Sequence, residues 1–168
     1  MKMIMAVIGA LMLVGCATPP LKQAIPGRSS PATVQRTLPE APSARARELA
    51  LHALNQIGIP YRFGGSSPEQ GFDCSGLVQY VFNQGAGLAL PRNTQAMSKV
   101  GAPVEADELA PGDLVFFDTL RRPYSHVGIY LGAHRFVHAP TSGGKVELVD
   151  MRERYWQSRF NGARRLDL

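Results

Sequence analysis

The chain has 168 residues, of which 45% are apolar, so its size and composition suit one globular domain and exclude a largely disordered protein. Its formal charge is +5, and removal of Lys2 with a leader would lower it by one to +4. The basic residues form no long run and accompany no aromatic platform, which argues against nucleic-acid binding. A carboxylate-rich ligand or an anionic membrane surface would suit this charge.

The first residues are typical of an export leader. Lys2 precedes an uncharged apolar run over residues 3–15, which is shorter than the roughly 18–20 residues of a membrane-spanning helix. The run ends in a segment that resembles a bacterial lipobox, Leu13-Val14-Gly15-Cys16. We therefore predict a signal peptide over residues 1–15 and lipidation of Cys16. Ala17 stands where Asp usually retains lipoproteins in the inner membrane, so we expect an outer-membrane lipoprotein facing the periplasm in an organism with two membranes.

Cys16 has an alternative fate, since two cysteines in an exported chain invite a disulfide between Cys16 and Cys74. Lipidation would instead leave Cys74 as a lone thiol, which is a liability in an oxidising compartment unless it is functional. Residues 17–43 contain six of the 13 prolines and no apolar period. Segment 16–43 is therefore predicted to be a lipidated N-terminus with a disordered tether, followed by a domain over residues 44–168.

The domain is predicted to begin with a helix capped by Ser43 and running to about Ile57, where Gly58 and Pro60 end it. His52 lies away from the apolar face and is expected to be solvated. The residues of that face recur at helical spacing: Leu49, Ala50, Ala53, Leu54 and Ile57.

A second helix is predicted after a Gly- and Pro-rich loop over residues 61–68. Asp73 is its N-cap, and Cys74 lies in the first turn on the buried face. The apolar stripe of this helix is formed by Leu77, Val78, Val81 and Phe82. Asn93 is predicted to cap a short third helix over residues 94–97.

Four strands are predicted in the second half of the chain. A turn at residues 111–113 precedes the first, and a tight loop at residues 132–134 joins the second and third. The strands are Leu114 to Phe117, His126 to Leu131, Arg135 to Ala139 and about Lys145 to Val149. Helices followed by a run of antiparallel strands indicate an α+β domain.

Cys74 needs a cationic neighbour if it is to act as a nucleophile. A free thiol with a pKa near 8.5 is only about 3% thiolate at pH 7, and a mostly ionised thiol needs a shift worth roughly 3–4 kcal/mol. A helix N-terminus supplies about 0.3–1 kcal/mol and at most about 2. The pattern therefore predicts an imidazolium beside Cys74.

Two histidines on the second and third strands can meet that need. If the loop between the strands has an odd number of residues, Gly128 faces His138, and His126 lies two residues further along the same face. An even loop would place the two histidines on opposite faces. We predict that His126 acts on the thiol and that His138 orients His126, whereas a lone strand histidine would more simply be a core residue.

A zinc site built from Cys74, His126 and His138 is the chemical alternative, but no Cys-x-x-Cys or His-Glu-x-x-His spacing supports it. His134 falls in the predicted turn and is expected to be exposed. The pair Gly64-Gly65 is followed by neither Gly-Lys nor a helix start, which excludes a phosphate-cradling loop. We predict no metal and no cofactor.

Six segments carry a pattern across the domain: Tyr61-Arg62-Phe63-Gly64-Gly65, Gly71-Phe72-Asp73-Cys74-Ser75-Gly76-Leu77-Val78, Leu90-Pro91-Arg92, Pro111-Gly112-Asp113-Leu114-Val115-Phe116-Phe117, Ser125-His126-Val127-Gly128-Ile129-Tyr130 and Phe136-Val137-His138-Ala139. In this order they resemble the NlpC-type family of cell-wall cysteine peptidases, over about residues 45–165. The resemblance implies a papain-like α+β fold with N-terminal helices packed on an antiparallel sheet.

The resemblance also implies roles for single residues. Cys74 would be the nucleophile, His126 the base and His138 the polar orienting residue, and Tyr61 would stabilise the oxyanion together with the Cys74 amide. Three further residues are candidates for substrate binding. Asp73 and Ser75 flank the nucleophile in the substrate cleft of some members, although capping of the helix explains them equally well. Arg92 would contact a substrate carboxylate.

The implied function is that of a peptidoglycan endopeptidase, which hydrolyses amide bonds in murein stem peptides or crosslinks. The bond would be D-Glu–diaminopimelate or D-Ala–diaminopimelate, and the short lipoprotein architecture resembles enzymes that cut the second. The alternatives are an N-acetylmuramoyl-L-alanine amidase, an acyltransferase, or a non-catalytic wall-binding lipoprotein. The expected partners are stem peptides and, through Cys16, the membrane, while a regulatory adaptor or protease is left open.

Overall fold

The computed structural model describes residues 43–141 and 143–168, so the predicted leader, the lipidation site and all of the tether except Ser43 lie outside the described residues. None of the helices in this part of the chain has the length and apolar character that crossing a membrane requires. The elements, in chain order, are α1 (Ala44–Leu54), β1 (Ser66–Ser67), β2 (Gly71–Phe72), α2 (Cys74–Ala86), α3 (Thr94–Met97), β3 (Ala102–Val104), β4 (Leu114–Phe117), β5 (His126–Gly132), β6 (Arg135–His138), β7 (Glu147–Asp150), α4 (Arg154–Gln157) and β8 (Phe160–Arg165).

The predicted α+β architecture is confirmed, with helices first and an antiparallel sheet after them. Six strands form the main sheet in the order β3-β8-β4-β5-β6-β7. The four predicted strands are β4 to β7, and each pairs with the next along the chain. The catalytic candidates on β5 and β6 therefore lie in the interior of the sheet.

The last strand, β8, was not predicted. It pairs on one side with β3 and on the other with β4, where Ala163 faces Val115. Its sequence shows no alternation of apolar and polar residues that would predict a strand, because it contains Asn161, Gly162 and two arginines. One of these arginines, Arg165, donates from Nε and Nη2 to the buried Asp113 carboxylate at 2.8 Å each, which fastens β8 to the turn before β4.

The sheet is buried on both faces at its centre. Leu114 and Phe116 of β4 join the cluster that includes the α1 and α2 side chains. Val115 and Phe117 join a second cluster on the opposite face, which Trp156 of α4 covers. This double burial explains why the β4 sequence is a continuous apolar run without polar alternation.

The first helix ends earlier than predicted. Ser43 caps it as expected, accepting a hydrogen bond from the Ala46 amide at 3.0 Å, but the helix stops at Leu54. Ile57 is therefore 44% exposed instead of lying on the buried face. His52 was expected to be solvated, yet it is half-buried, and its Cδ2 would be 3.1 Å from a Cβ added to Gly85 of α2. The close crossing of α1 and α2 at a glycine encloses this imidazole.

The β5–β6 hairpin reaches the predicted register by a different route. Ile129 pairs with Val137, and continuing by one residue sets Gly128 opposite His138, as expected. The turn itself has two residues, Ala133 and His134, both with φ near +55° (50° and 59°). A two-residue turn alone would place the two histidines on opposite faces of the sheet. The register shifts between Tyr130 and Gly132, and this bulge returns His126 and His138 to the same face.

Close glycine contacts join the start of α2 to the loop before it. A Cβ on Gly76 would overlap the carbonyl oxygen of Gly65. Because this oxygen belongs to the backbone, the clash could be relieved only by a shift of the loop or of the helix. We expect Gly76→Ala to lower the free energy of unfolding by about 3 kcal/mol, measured by urea denaturation.

Gly87 provides the matched control for this prediction, because it caps the other end of α2 and has open space around its Cα. Gly87→Ala should cost only about 1–2 kcal/mol, since its φ of 67° alone opposes a side chain. Equal losses in the two variants would contradict the proposed packing of Gly76 against Gly65.

Candidate active site

Cys74 is the first residue of α2, and the helix cap ties it to the preceding loop. The carboxylate of Asp73 accepts from the Gly76 amide at 2.7 Å and from the Gly64 amide at 2.9 Å. The predicted cap is therefore confirmed, and the same carboxylate also holds the loop. The Cys74 thiol is half-buried and free.

The three residues predicted to bind substrate form one hydrogen-bonded cluster beside the thiol. Arg92 donates to the two Asp73 carboxylate oxygens at 2.8 Å each and to the Ser75 hydroxyl at 2.6 Å. It also donates to the Gly65 carbonyl at 3.2 Å. Burial opposes ionisation of Asp73, but the hydrogen bonds from Arg92 and the Gly76 amide hold the pKa of its carboxyl below the usual value.

His126 and His138 meet on the face predicted for them. His126 Nε2 lies 2.9 Å from His138 Nδ1, and the two rings are nearly perpendicular at 83°. The side chains are 4% and 1% exposed, so water hardly reaches them. Because His126 Nε2 is engaged with His138, Nδ1 is the nitrogen of His126 that is left for the thiol.

Cys74 and His126 line one open cleft of about 300 Å³. The other cleft residues come from the loop after α1, the start of α2, the segment around Arg92, the β4–β5 loop and the segment after β6. They are Tyr61, Phe63, Asp73, Ser75, Arg92, Asn93, Thr94, Thr119, Leu120, Arg122, Ser125, Ala139, Pro140 and Thr141.

A model of the NlpC/P60 family matches residues 58–165, more than half of the chain and all of the cleft. The chain belongs to the NlpC/P60 family. The resemblance predicted from the six segments is therefore confirmed.

Curated relatives match this NlpC/P60 domain closely. The gamma-DL-glutamyl hydrolase of Bacillus subtilis is 50% identical over 66% of the chain, and the murein DD-endopeptidase MepH of Escherichia coli is 42% identical over 77%. The Escherichia coli protein named murein DD-endopeptidase MepS/murein LD-carboxypeptidase is 46% identical over 65%. The chain spans only 27%, 51% and 56% of these three relatives, respectively.

Solved structures agree with the fold. An NlpC/P60 family protein from Bacillus cereus superposes with a TM-score of 0.67 at 30% identity, covering 74% of this chain and 41% of that one. The NlpC/p60 domain of the peptidoglycan hydrolase SagA superposes with a TM-score of 0.63 at 30% identity, covering 72% and 98%. The predicted papain-like NlpC-type fold is thus confirmed.

Trp156 is a residue of the NlpC/P60 site that the sequence did not point to. Its ring stacks on His126 at 28° with centroids 5.7 Å apart, and it meets His138 edge-on at 4.8 Å. This contact closes the sheet face behind the two imidazoles and removes them from water. The signal was the single tryptophan of the chain, but nothing in its local pattern connects α4 with β5.

Burial disfavours the charged forms of both Cys74 and His126. Burial and then the Asp73 charge raise the pKa of the Cys74 thiol to about 11, although backbone amides including that of Val127 act the other way. Burial lowers the pKa of His126 to about 4. The sequence predicted a thiolate beside an imidazolium, whereas the structure favours a neutral thiol beside a neutral imidazole at rest. Charge then separates only when the proton passes between them.

Tyr61 lies at the wall of the same cleft. Burial, followed by the charges of Cys74 and Asp73, raises the pKa of its phenol above the usual value. The phenol is therefore protonated at neutral pH and is available as a hydrogen-bond donor toward the cleft.

The neutral resting state has a direct spectroscopic test. In a Cys16→Ala background Cys74 is the single cysteine, and its thiolate ultraviolet absorbance should be absent at pH 7 and rise only above about pH 9, because burial raises the thiol pKa. The reference is the same background with Cys74→Ala. A thiolate signal already present at pH 6 would mean that the ion pair forms at rest.

Proposed function

We propose that this chain is a peptidoglycan endopeptidase that hydrolyses amide bonds in murein stem peptides or crosslinks through a covalent thioester. This proposal rests on one observation. Cys74 and His126 line the same cleft, and His126 Nε2 lies 2.9 Å from His138 Nδ1. A thiol, a base and a group that orients the base form the constellation that nucleophilic catalysis on an acyl group requires.

The names of the relatives support this substrate class. Two of them are named murein DD-endopeptidases and one a gamma-DL-glutamyl hydrolase, and each is more than 40% identical to this chain over the matched residues. We favour the D-Ala–diaminopimelate crosslink, because two of the three named relatives carry the DD-endopeptidase name.

The proposed reaction begins when the Cys74 sulfur attacks the scissile carbonyl carbon while its proton passes to His126 Nδ1. The carbonyl π pair moves onto oxygen, and the oxyanion accepts hydrogen bonds from the Tyr61 hydroxyl and the Cys74 amide. The tetrahedral intermediate collapses and breaks the C–N bond, and the leaving amine takes the proton from His126. Water then attacks the thioester with His126 as base, releasing the acid and restoring the thiol.

Charge in the cleft suits a substrate rich in carboxylates. Asp73, Ser75 and Arg92 form the substrate-binding wall in this proposal, but the Arg92 guanidinium is already shared with Asp73. Arg122 also lines the cleft, and among the described residues its guanidinium has no hydrogen bond or ion pair. A free carboxylate of the stem peptide would therefore meet Arg92 at one side and Arg122 at another.

We further propose that the protein works from a membrane. The lipobox ending at Cys16 supports lipidation, the Pro-rich segment supports a tether, and Ala17 supports the outer membrane as the location. If Cys16→Ala leaves the protein in the membrane fraction of cells, the anchor is wrong. An adaptor or protease that controls the protein would act on this tethered form.

Digestion of purified muropeptides, followed by mass spectrometry of the products, tests the function. Crosslinked dimers should be converted to monomers with the gain of one water per cut. Release of intact stem peptides from the sugar would instead indicate an amidase, and products joined to an added amine would indicate an acyltransferase. Binding of muropeptides without any product would leave the non-catalytic lipoprotein.

A further inference from the structure

The buried imidazole of His138 has one ring nitrogen without a hydrogen-bond partner. Its Nδ1 faces His126, while Nε2 has no partner in the described residues, and the side chain is only 1% exposed. A buried N–H without an acceptor costs about 1–3 kcal/mol, so this atom calls for an acceptor nearby.

A carboxylate on the neighbouring strand lies close to this nitrogen. His138 of β6 pairs directly with Glu147 of β7, and Glu147 Oε1 lies 3.5 Å from His138 Nε2. The other rings against His138 are those of His126, Phe136 and Trp156. Burial and the neighbouring His126 lower the pKa of His138 to about 3, so it is neutral at pH 7 and its contact with Glu147 is that of an N–H with a carboxylate.

We propose that Glu147 is a positioning residue that selects the active tautomer of the two histidines, which rests on the proposed function. His126 can accept the thiol proton at Nδ1 only if its own proton is on Nε2 and is donated to a bare Nδ1 of His138. His138 must then carry its proton on Nε2, which faces the Glu147 carboxylate at 3.5 Å.

The opposite tautomer of His138 disables the site. A proton on Nδ1 would require a lone pair on His126 Nε2, which forces the His126 proton onto Nδ1 and leaves that nitrogen unable to accept from Cys74. It would also aim the lone pair of His138 Nε2 at the Glu147 carboxylate, which is repulsive. Glu147 therefore disfavours the inactive pair and favours the active one.

Substitutions at Glu147 test this role. Glu147→Leu removes the acceptor and should lower kcat about 10-fold with little change in KM, at the small end of such effects because the Glu147 side chain is 53% exposed. Glu147→Gln keeps a carbonyl acceptor and should restore most of kcat. Glu147→Lys presents a hydrogen-bond donor instead of an acceptor, and its kcat should be lower than that of Glu147→Leu. Glu105→Leu, on the exposed segment after β3, is the surface control and should match the parent protein.

A second readout does not depend on turnover. In the full chain with Cys74→Ala, ¹⁵N chemical shifts of the histidine side chains should report the Nε2–H form of His138, and Glu147→Leu should shift it toward a mixture. Observation of the Nδ1–H form with Glu147 present, or equal kcat in the Leu and Gln variants, would overturn the inference. If the parent protein hydrolyses no muropeptide, the proposed function fails, while the tautomer measurement still decides the role of Glu147.

Discussion

Cys74→Ala is expected to abolish muropeptide hydrolysis, with a loss of at least about 10³-fold in kcat/KM. The Cys74 thiol is the nucleophile of the proposed mechanism and lines the same cleft as His126, so no thioester can form without it. The measurement is the rate of product formation from crosslinked muropeptides. Unchanged digestion by the Cys74→Ala protein would make the enzyme assignment wrong.

Three companion variants make the result specific. His126→Gln should lower kcat/KM by a factor comparable to that of Cys74→Ala. The double variant should lose no more kcat/KM than either single variant, because Cys74 and His126 act as one unit. Cys16→Ala should keep full activity on soluble muropeptides, since it removes the predicted lipidation site and leaves every described cleft residue unchanged. The far-ultraviolet circular dichroism of Cys74→Ala should match that of the parent protein, which separates loss of chemistry from loss of fold.

The second large effect concerns stability in acid. Burial lowers the pKa of His126 to about 4 and that of His138 to about 3, whereas both titrate near 6.5 in an unfolded chain. Between these values the unfolded state binds more protons, so stability is lost as the pH falls through 6.5 toward the folded values. Lowering the pH from 7 to 5 should cost up to about 4 kcal/mol of unfolding free energy, measured by urea denaturation.

His138→Gln is the control for the acid effect. It removes one of the two buried imidazoles, so the loss between pH 7 and pH 5 should fall to about half, whatever the stability of the variant at pH 7. Carboxylates titrate mostly below this pH window and contribute little to it. The same urea midpoint at pH 7 and pH 5 in the parent protein would contradict burial of two neutral histidines.

Much of the fold follows from local patterns. Asp73 and Asn93 cap their helices as predicted, because an Asx side chain before an apolar period satisfies the free amides of the first turn. The strands β4 to β7 lie close to their predicted bounds. Strand β8 was not predicted, since its place in the sheet depends on contacts with distant residues such as Asp113 and not on an apolar period. The end of α1 at Leu54, three residues before Ile57, was not predicted either.

The sequence predicted which candidate residues lie near one another, but it did not predict their protonation states. Cys74, His126 and His138 were chosen from their positions on one helix and two strands, and the structure brings them to one place. The protonation states of His126 and His138 depend on their burial by Trp156. No pattern in the sequence of α4 indicates that Trp156 packs on these two residues. The shared guanidinium of Arg92 likewise became visible only in three dimensions.

By itself the sequence determined the order of elements, the lone thiol at a helix start and the two histidines at an even spacing, because caps and periods act over a few residues. The tertiary structure decided how those histidines reach one face. A two-residue turn would have parted them, and the bulge between Tyr130 and Gly132 brings them together. It also decided which groups lose water, since solvent exclusion depends on neighbours far away in the chain, and this loss sets the charge of the thiol and its base.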